Sequence, residues 1–177
     1  MSLQPHCLSY LRNAPDGLVL EFGVSSGRSI RILAEAGRVV YGFDSFKGLP
    51  HDWGWSDPRG LFAAEVPEVP DNVVLVPGLF SDTLESFLYL NPGPVAFVHI
   101  DSDLYTSCMY VLDCLRDRWI DRSVIVFDEI NQWVTGSEYR LPDERRAWNR
   151  HNAGWRFCEA EHATGEIWMR DGSAARK

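Results

Sequence analysis

A short apolar strand that ends in a glycine-bearing turn constrains the fold of this chain more than any other feature. The segment Leu18–Phe22 is apolar except for Glu21, and Gly23 and Gly27 follow it closely. A helical pattern begins near Ser26. Glycine lets the backbone turn sharply and lets a ligand approach it closely, and a helix start points free N–H groups back at the turn. This order of elements predicts a ligand-binding turn in an α/β protein.

The chemistry of the turn favours S-adenosylmethionine (SAM) over a nucleotide phosphate. A carboxylate at Glu21 would repel a diphosphate, whereas it suits an ammonium group or hydroxyl groups, and SAM carries both. The dinucleotide fingerprint G-x-G-x-x-G is also incomplete, because Ser25 stands where a middle glycine is expected. Such turns also occur in α/β proteins with other ligands, so the turn alone leaves the ligand open. For SAM, the expected binding residues of this segment are Glu21, Gly23, Ser25, Gly27 and Ser29.

Apolar strand patterns alternate with helical patterns along the chain, which predicts a parallel sheet in one α/β domain over residues 1–177. The predicted strands are Leu18–Phe22, Arg38–Phe43, Val73–Val76, Val95–Ile100 and Ser123–Phe127. The predicted helices are Leu3–Asn13, Ser26–Ala36, Thr83–Leu90, Thr106–Arg118 and Pro142–His151. The runs Gly154–Glu159 and Glu166–Arg170 predict an antiparallel hairpin at the sheet edge.

Acidic residues gather where the predicted parallel strands end, and ligands of open α/β sheets bind at that edge. Asp44 ends the second strand and lies 23 residues after Glu21. This spacing is close to the ~20 residues at which an acidic side chain meets ribose hydroxyls. We therefore expect Asp44 to bind the ribose of SAM and Glu21 to bind its amino acid end. The alternative is that Asp44 only caps the next turn.

Three further acids, Asp101, Asp128 and Glu129, follow the fourth and fifth predicted strands. Carboxylates that share one crevice repel each other unless a cation lies between them, and Mg²⁺ prefers oxygen ligands. No cysteine–histidine cluster in the sequence indicates zinc. The three acids therefore predict a Mg²⁺ site. The alternative is that Asp128 and Glu129 cap a turn and Asp101 holds a helix start.

The segment 45–72 is long, rich in glycine and proline, and without clear periodicity. Such segments are usually functional or disordered. Trp53, Trp55 and Phe62 argue against disorder, so we expect a flap over the site. The alternative is that these aromatic side chains only pack at the surface.

Charge and cysteine content limit the partners and the compartment. A net charge of −8 and a pI near 5.0 argue against general binding to nucleic acid or to a membrane surface. No apolar run approaches the ~20 residues of a membrane span. Four cysteines without a CxxC pair, and no recognisable signal peptide, predict a reduced, cytoplasmic setting.

These motifs together resemble the macrocin-type O-methyltransferases, which act in macrolide sugar tailoring. The resemblance rests on five segments that follow in order: Leu20–Val24, Tyr41–Pro50, Gly78–Leu84, His99–Tyr105 and Val126–Glu129. It implies the class I SAM-dependent methyltransferase fold, a three-layer Rossmann-like architecture with a mostly parallel seven-stranded sheet and an antiparallel C-terminal strand. It also implies a divalent metal on Asp101, Asp128 and Glu129. The implied SAM site comprises Glu21, Gly23, Gly27, Asp44, Ser45, Phe80, Ser81 and Asp82, with Asp101 beside the cofactor.

The catechol-type O-methyltransferases share this pattern more distantly, with two departures. They place a catalytic lysine three residues past the first metal ligand, where this chain has Leu104, and they usually have Asn at the position of Glu129. Proton abstraction by lysine is therefore not expected here. We expect Asp101 or Asp103 to take the proton, and we interpret His99 as a core histidine.

Macrocin-type enzymes carry a longer N-terminal region, whereas about seventeen residues precede the first strand here. The acceptor pocket is therefore expected from the loop 47–72, from the segment 131–140, or from the second subunit of a homodimer.

The sequence thus predicts methyl transfer from SAM, with Mg²⁺, to a hydroxyl group of a small molecule of the sugar or secondary-metabolite type. Two alternatives stay open. One is a SAM-binding domain without catalysis, which would bind the cofactor without turnover. The other is a metal-dependent, hydroxylase-like relative on the same scaffold, which would not bind SAM.

Overall fold

Seven strands form one sheet in the computed structural model, which describes residues 7–131, 142–160 and 165–172. The strands are β1 (Leu18–Phe22), β2 (Val40–Asp44), β3 (Val73–Pro77), β4 (Val95–Ile100), β5 (Trp119–Phe127), β6 (Trp155–Ala160) and β7 (Glu166–Arg170). The helices are α1 (Cys7–Asn13), α2 (Arg28–Ala34), α3 (Phe80–Leu90), α4 (Tyr105–Leu115), which continues as a 3₁₀ turn over Arg116–Arg118, and α5 (Asp143–Trp148). None of these described helices is long and apolar enough to cross a membrane.

The strand order is β3-β2-β1-β4-β5-β7-β6. Strands β1 to β5 pair in parallel, and β7 runs antiparallel to both β5 and β6. The predicted mostly parallel seven-stranded sheet with an antiparallel C-terminal strand is therefore confirmed. Because β1 lies between β2 and β4, connections leave this point of the sheet in both directions, and the carboxyl ends of these strands border one crevice.

Both faces of the sheet are covered by helices, which gives three layers. One apolar cluster contains Leu20, Phe22, Val98 and Ile100 and packs against α3, α4 and α5. The opposite cluster contains Val19, Phe97, Val124 and Val126 and packs against α1 and α2. Every residue of β4 is buried, as the apolar sequence of this strand predicts.

Some element ends differ from the sequence-based prediction. Strand β2 begins at Val40 instead of Arg38, since its pairing with β1 and β3 starts at Val40. The Arg38 guanidinium bonds the carbonyl oxygens of Pro15 and Gly17 in the loop before β1. Strand β5 begins at Trp119 instead of Ser123, although Arg122 adopts a positive φ of 65° and interrupts the apolar pattern. The first residues of the predicted N-terminal helix and most of the predicted hairpin turn lie outside the described residues.

The segment 45–72 connects β2 to β3 and lies against the carboxyl edge of the sheet; we call it the flap. Leu49 and Trp53 are buried together with Leu104, which follows β4. Backbone hydrogen bonds from Leu49 N to Leu61 O and from Gly60 N to Leu49 O close the flap on itself. A cavity remains between the flap and the ends of the strands.

Candidate functional site

The cavity at the carboxyl edge of the sheet has a volume of about 470 Å³, within the range of small-molecule sites. Its walls come from the turns after β1, β2, β3, β4 and β5, from the flap and from α4. The lining residues are Gly23, Ser25, Asp44, Ser45, Gly48, Leu49, Pro50, Phe62, Gly78, Leu79, Phe80, Ser81, Asp101, Ser102, Asp103, Thr106, Ser107, Tyr110 and Glu129. The structure thus brings most of the predicted site residues together.

Gly23 joins the glycine turn to the loop that follows β4. Its φ is +95°, a conformation that side-chain-bearing residues rarely adopt. A Cβ at this position would also overlap the backbone carbonyl oxygen of Asp101. Only glycine therefore allows the two loops to meet. Their contact places the turn at Gly23 directly beside the loop that carries Asp101.

Asp44 holds two turns through its carboxylate. Its Oδ2 accepts hydrogen bonds from the N–H groups of Val24 and Ser25 at 2.8 and 2.7 Å, and its Oδ1 accepts one from Phe46 at 2.7 Å. The capping role, given above as the alternative to ribose binding, is therefore present. Because Asp44 also lines the cavity, its carboxylate remains at the surface that a ligand would contact.

Glu21 does not reach the cavity, in contrast to the expectation that its carboxylate contacts the ligand. The side chain is fully buried, and its Oε1 lies 2.7 Å from Nδ1 of His99, which is also fully buried. Burial disfavours the imidazolium, but the hydrogen bond and the charge of Glu21 raise the pKa of His99 to about 9. The two residues form an ion pair inside the sheet layer, and His99 lies in the core as predicted.

Three other predicted cofactor residues lie away from the cavity lining. Gly27 adopts a left-handed conformation just before α2, and its Cα faces Pro67 of the flap. Ser29 is buried in the first turn of α2. Asp82 is exposed and accepts a hydrogen bond from the Ser81 hydroxyl at 3.1 Å. Ser45, Phe80 and Ser81 do line the cavity.

The acidic part of the site centres on Asp101, Asp103 and Glu129. One carboxylate oxygen from each of the three can be chosen so that all lie within 4.8 Å of one another. Asp101 and Asp103 belong to the segment Asp101–Tyr105 between β4 and α4, which we call the acid turn. Asp128, the third predicted metal ligand, is buried at the end of β5 and lies outside this group.

The acid turn carries strongly perturbed carboxyl groups. Burial, together with the charges of Asp128 and Glu129, raises the pKa of Asp101 to about 8, although His99 opposes this. Burial and the charges of Asp101 and Glu129 raise the pKa of Asp103 to about 10. A cation between these oxygens would remove the repulsion, so the chemistry of the donor set fits a hard divalent metal.

Two features of the site escaped the sequence-based prediction. Tyr110 lines the cavity from α4, and its hydroxyl donates to Glu85 Oε1 at 3.3 Å. Glu144 of α5 is buried beside the acid turn, where its Oε1 accepts a hydrogen bond from Ser102 N at 3.2 Å. Glu144 lies four residues before the apolar Trp148, so helical spacing could have predicted that both side chains share one face of α5. The sequence does not show which loop this face contacts.

Comparison with known proteins identifies the family. Residues 20–130 match the methyltransferase domain family, and this range is more than half of the chain. The chain therefore belongs to the methyltransferase domain family. The class of enzyme that fold and family define together is the SAM-dependent methyltransferases.

Solved structures share this fold across nearly the whole chain. The calicheamicin methyltransferase CalS11 is 24% identical with a TM-score of 0.77, and the match covers 95% of this chain and 77% of that chain. The O-methyltransferase NovP is 22% identical with a TM-score of 0.69, over 94% and 77%. An O-methyltransferase from Bacillus cereus, in complex with SAH, is 16% identical with a TM-score of 0.61, over 94% and 78%. No curated protein sequence matches this chain significantly.

Proposed function

We propose that this protein is a SAM-dependent O-methyltransferase that acts on a hydroxyl group of a small molecule and requires a divalent cation, Mg²⁺ in the cell. One observation carries the proposal. In a chain of the methyltransferase domain family, a single cavity brings the glycine turn of Gly23 and the carboxylate of Asp44 next to three clustered carboxylates.

The cofactor half of the site fits SAM by its shape and charge. The Gly23 turn presents backbone without a side chain, and Asp44, Ser45 and Ser81 add polar atoms to the lining. SAM supplies a methyl group on a positively charged sulfur, which acidic walls tolerate. We assign its binding to the turns after β1, β2 and β3, with the buried Glu21–His99 pair supporting the first of them from below.

The acidic half of the site fits a divalent cation. Asp101, Asp103 and Glu129 offer oxygen ligands at mutual distances that one ion can span, and Asp128 is buried next to them at the end of β5. When bound, such an ion supplies Lewis acidity, which lowers the pKa of an acceptor hydroxyl. We retain Asp101 and Glu129 as ligands and propose Asp103 as the third, with Asp128 as a neighbour that orients them.

The protein's own groups would position the acceptor and take its proton. The cation would take one oxygen from each carboxylate. Because Asp101 and Asp103 both line the cavity, the second oxygen of either can accept the hydroxyl proton as the methyl group moves from sulfur to oxygen. Leu49, Pro50 and Phe62 of the flap cover part of the cavity with apolar surface. Holding the hydroxyl in line with the methyl group under this cover supplies rate through orientation.

The acceptor class is proposed from the structural relatives. CalS11 is described as a TDP-rhamnose 3'-O-methyltransferase, and NovP as an O-methyltransferase. A sugar or secondary-metabolite hydroxyl is the acceptor that this likeness favours.

The four free cysteines, all within the described ranges, agree with a cytoplasmic enzyme. The net charge of −8 favours a small molecule over nucleic acid as the partner, and a homodimer remains a proposal for solution measurement.

Isothermal titration of SAM into the protein, with Mg²⁺ and again with EDTA, tests the cofactor assignment. We expect binding in both cases, and we expect Asp44→Ala to abolish it because the turn loses three hydrogen bonds. Asp117→Ala, at an exposed position of the 3₁₀ turn, is the matched control.

A panel of hydroxylated acceptors, with SAH formation as the readout, then tests turnover. SAM binding without turnover on any acceptor would indicate a binding domain, and no SAM binding would refute the proposal.

A further inference from the structure

Two acidic side chains at the start of the short helix α5 accept hydrogen bonds from the backbone of the acid turn. Glu144 Oε1 accepts a hydrogen bond from Ser102 N at 3.2 Å, and Asp143 Oδ2 accepts one from Tyr105 N at 3.2 Å. These two N–H groups flank Asp103 on either side. Neither acidic residue is among the described residues that line the cavity, so the contact is made from behind the site.

Asp103 adopts a conformation that needs such support. Its φ of +59° lies in the left-handed region, a conformation that is strained for a residue with a side chain and that persists only where the surroundings enforce it. The hydrogen bonds at Ser102 and Tyr105 fix the backbone one residue before and two residues after the strained residue. They thereby fix the direction in which the Asp103 side chain leaves the turn.

Glu144 occupies a position where an apolar residue would be expected. Glu144, Ala147 and Trp148 form the buried face of α5, and this i, i+3, i+4 spacing is that of a core-facing stripe. Burial, with the charge of Asp101, raises the pKa of Glu144 well above its usual range. A buried carboxyl group beside other acids is costly for stability, whereas the hydrogen bond to Ser102 is a contact that no apolar side chain could make.

Asp143 is fixed in turn by its own helix. Arg146 Nη1 donates to Asp143 Oδ1 at 2.9 Å, and the Arg146 guanidinium lies 3.9 Å from the centre of the Tyr105 ring. Tyr105 is therefore held at its backbone by Asp143 and at its ring by Arg146. Because Ala147 and Trp148 anchor α5 in the core, the helix forms a rigid support for the first residue of α4.

We propose that Asp143 and Glu144 are positioning residues, which hold the acid turn so that the Asp103 carboxylate joins those of Asp101 and Glu129 in one cation site. The inference rests on the proposed function, because it takes these three carboxylates as the ligands of the cation. It adds a residue pair that does not line the cavity and that accepts hydrogen bonds from backbone N–H groups of the acid turn.

Titration of Mn²⁺ alone into the wild type, Glu144→Ala and Glu144→Gln tests this role. The glutamine variant keeps an oxygen acceptor for Ser102 N–H but removes the charge, whereas the alanine variant removes both. We expect Glu144→Ala to weaken Mn²⁺ binding by about 10- to 100-fold, the range seen for outer-shell partners of metal ligands, and Glu144→Gln to stay within about threefold. SAM affinity of both variants should equal that of the wild type.

Asp143→Ala provides a second, more exposed test if Glu144→Ala fails to fold. Its matched control is Asp113→Ala, which removes a surface carboxylate that pairs with Arg116 instead of with the acid turn. We expect weaker Mn²⁺ binding for the first variant and unchanged binding for the second.

The outcomes separate this inference from the proposed function. Equal weakening by Glu144→Ala and Glu144→Gln would show that only the charge matters, and unchanged Mn²⁺ binding in folded Glu144→Ala would show no role; both results refute positioning while the proposed function stands. A wild type that binds SAM but no Mn²⁺ would refute the cation site and the positioning role together. Failure to bind either would refute the proposed function itself.

Discussion

At the scale of single residues, the site depends on side chains that bond backbone rather than ligand. Asp44 accepts three backbone N–H groups around the first two turns, and Glu144 and Asp143 each accept one at the acid turn. Carboxylates that bond backbone N–H groups in this way restrict the conformation of the loops before any ligand binds. The cavity is therefore preorganised by hydrogen bonds within the protein.

Among the glycines whose surroundings the structure describes, Gly23→Ala should be the most damaging substitution. The new Cβ would overlap the Asp101 carbonyl oxygen, so the acid turn must move away from β1. Gly37→Ala is the matched control, because Gly37 also has a positive φ, of 73°, but its added Cβ meets nothing within 4 Å. We expect the control to cost about 1 kcal/mol, or about 2–4 °C in Tm for a chain of this size. Gly23→Ala should lower Tm several times more, and equal melting temperatures would contradict the steric argument.

Glu21→Ala should destabilise the protein strongly, because it leaves the His99 imidazolium buried without its partner at 2.7 Å. Breaking a buried pair from one side costs about 3–5 kcal/mol. Glu21→Gln keeps an acceptor for His99 Nδ1 and should lose less. Urea unfolding of both variants measures the difference. If Glu21→Ala unfolds at the wild-type urea concentration, the pair contributes no net stability.

At the scale of elements, sequence patterns predicted the sheet well and the loops less completely. Strands such as Val95–Ile100 follow from apolar runs, because a buried parallel strand needs apolar residues on both faces. The gathering of acids at the carboxyl edge follows from the same alternation of strands and helices. What the pattern could not give was which acids point into the cavity.

The acid turn illustrates why the sequence alone could not predict which acids point into the cavity. Asp101 and Asp103 are two residues apart, and their carboxylates meet that of Glu129 at a turn in which Asp103 has a left-handed backbone. That conformation depends on α5, which is about forty residues away in the sequence. The direction of Glu21 was missed for a similar reason, since its partner His99 comes from a neighbouring strand in register with it.

The flap is held by one of its two neighbouring tryptophans. Trp53 is 6% exposed and packs on Leu49 and Leu104, whereas Trp55 is 87% exposed. Trp53→Ala should therefore loosen the flap, because removal of a large buried side chain costs about 3–5 kcal/mol, and Trp55→Ala should not. Faster cleavage within residues 45–72 in limited proteolysis checks this. Equal cleavage of the two variants would mean that the flap is not held by this contact.

At the scale of the whole molecule, excess negative charge is concentrated at one edge of the sheet. The net charge is −8, and buried or half-buried acids at this edge include Asp101, Asp103, Asp128, Glu129 and Glu144. The His99 imidazolium offsets part of this charge from the core. The protein therefore combines an apolar interior with an edge at which neighbouring carboxyl groups raise the pKa values of Asp101 and Asp103.

Stability without metal should fall as pH rises from 6 to 9. The folded-state pKa values of Asp101 and Asp103 are raised to about 8 and about 10, whereas the unfolded values lie near 4. The folded state thus binds more protons than the unfolded state in this range, so unfolding becomes easier as pH increases. The raised pKa of His99, about 9, acts in the same direction, because its charged pair with Glu21 is lost above that pH.

Melting temperatures in EDTA and in Mg²⁺ across this pH range provide the measurement. We expect Mg²⁺ to raise Tm more at pH 8 than at pH 6, because the ion competes with protons for the same oxygens. Asp103→Asn should flatten the profile in EDTA. A Tm that is constant or increases from pH 6 to 9 in EDTA would contradict the expected protonation of the cluster.

The flap occupies one uninterrupted stretch of chain between β2 and β3, and its two ends leave adjacent parallel strands. The apolar surface that the flap adds to the cavity therefore comes from one segment, and this segment is tied to the acid turn by the packing of Leu49 and Trp53 on Leu104. Under the proposed function, a graft of a relative's flap that keeps Leu49 and Trp53 is expected to change the acceptor, because the contact with Leu104 of the acid turn is then retained.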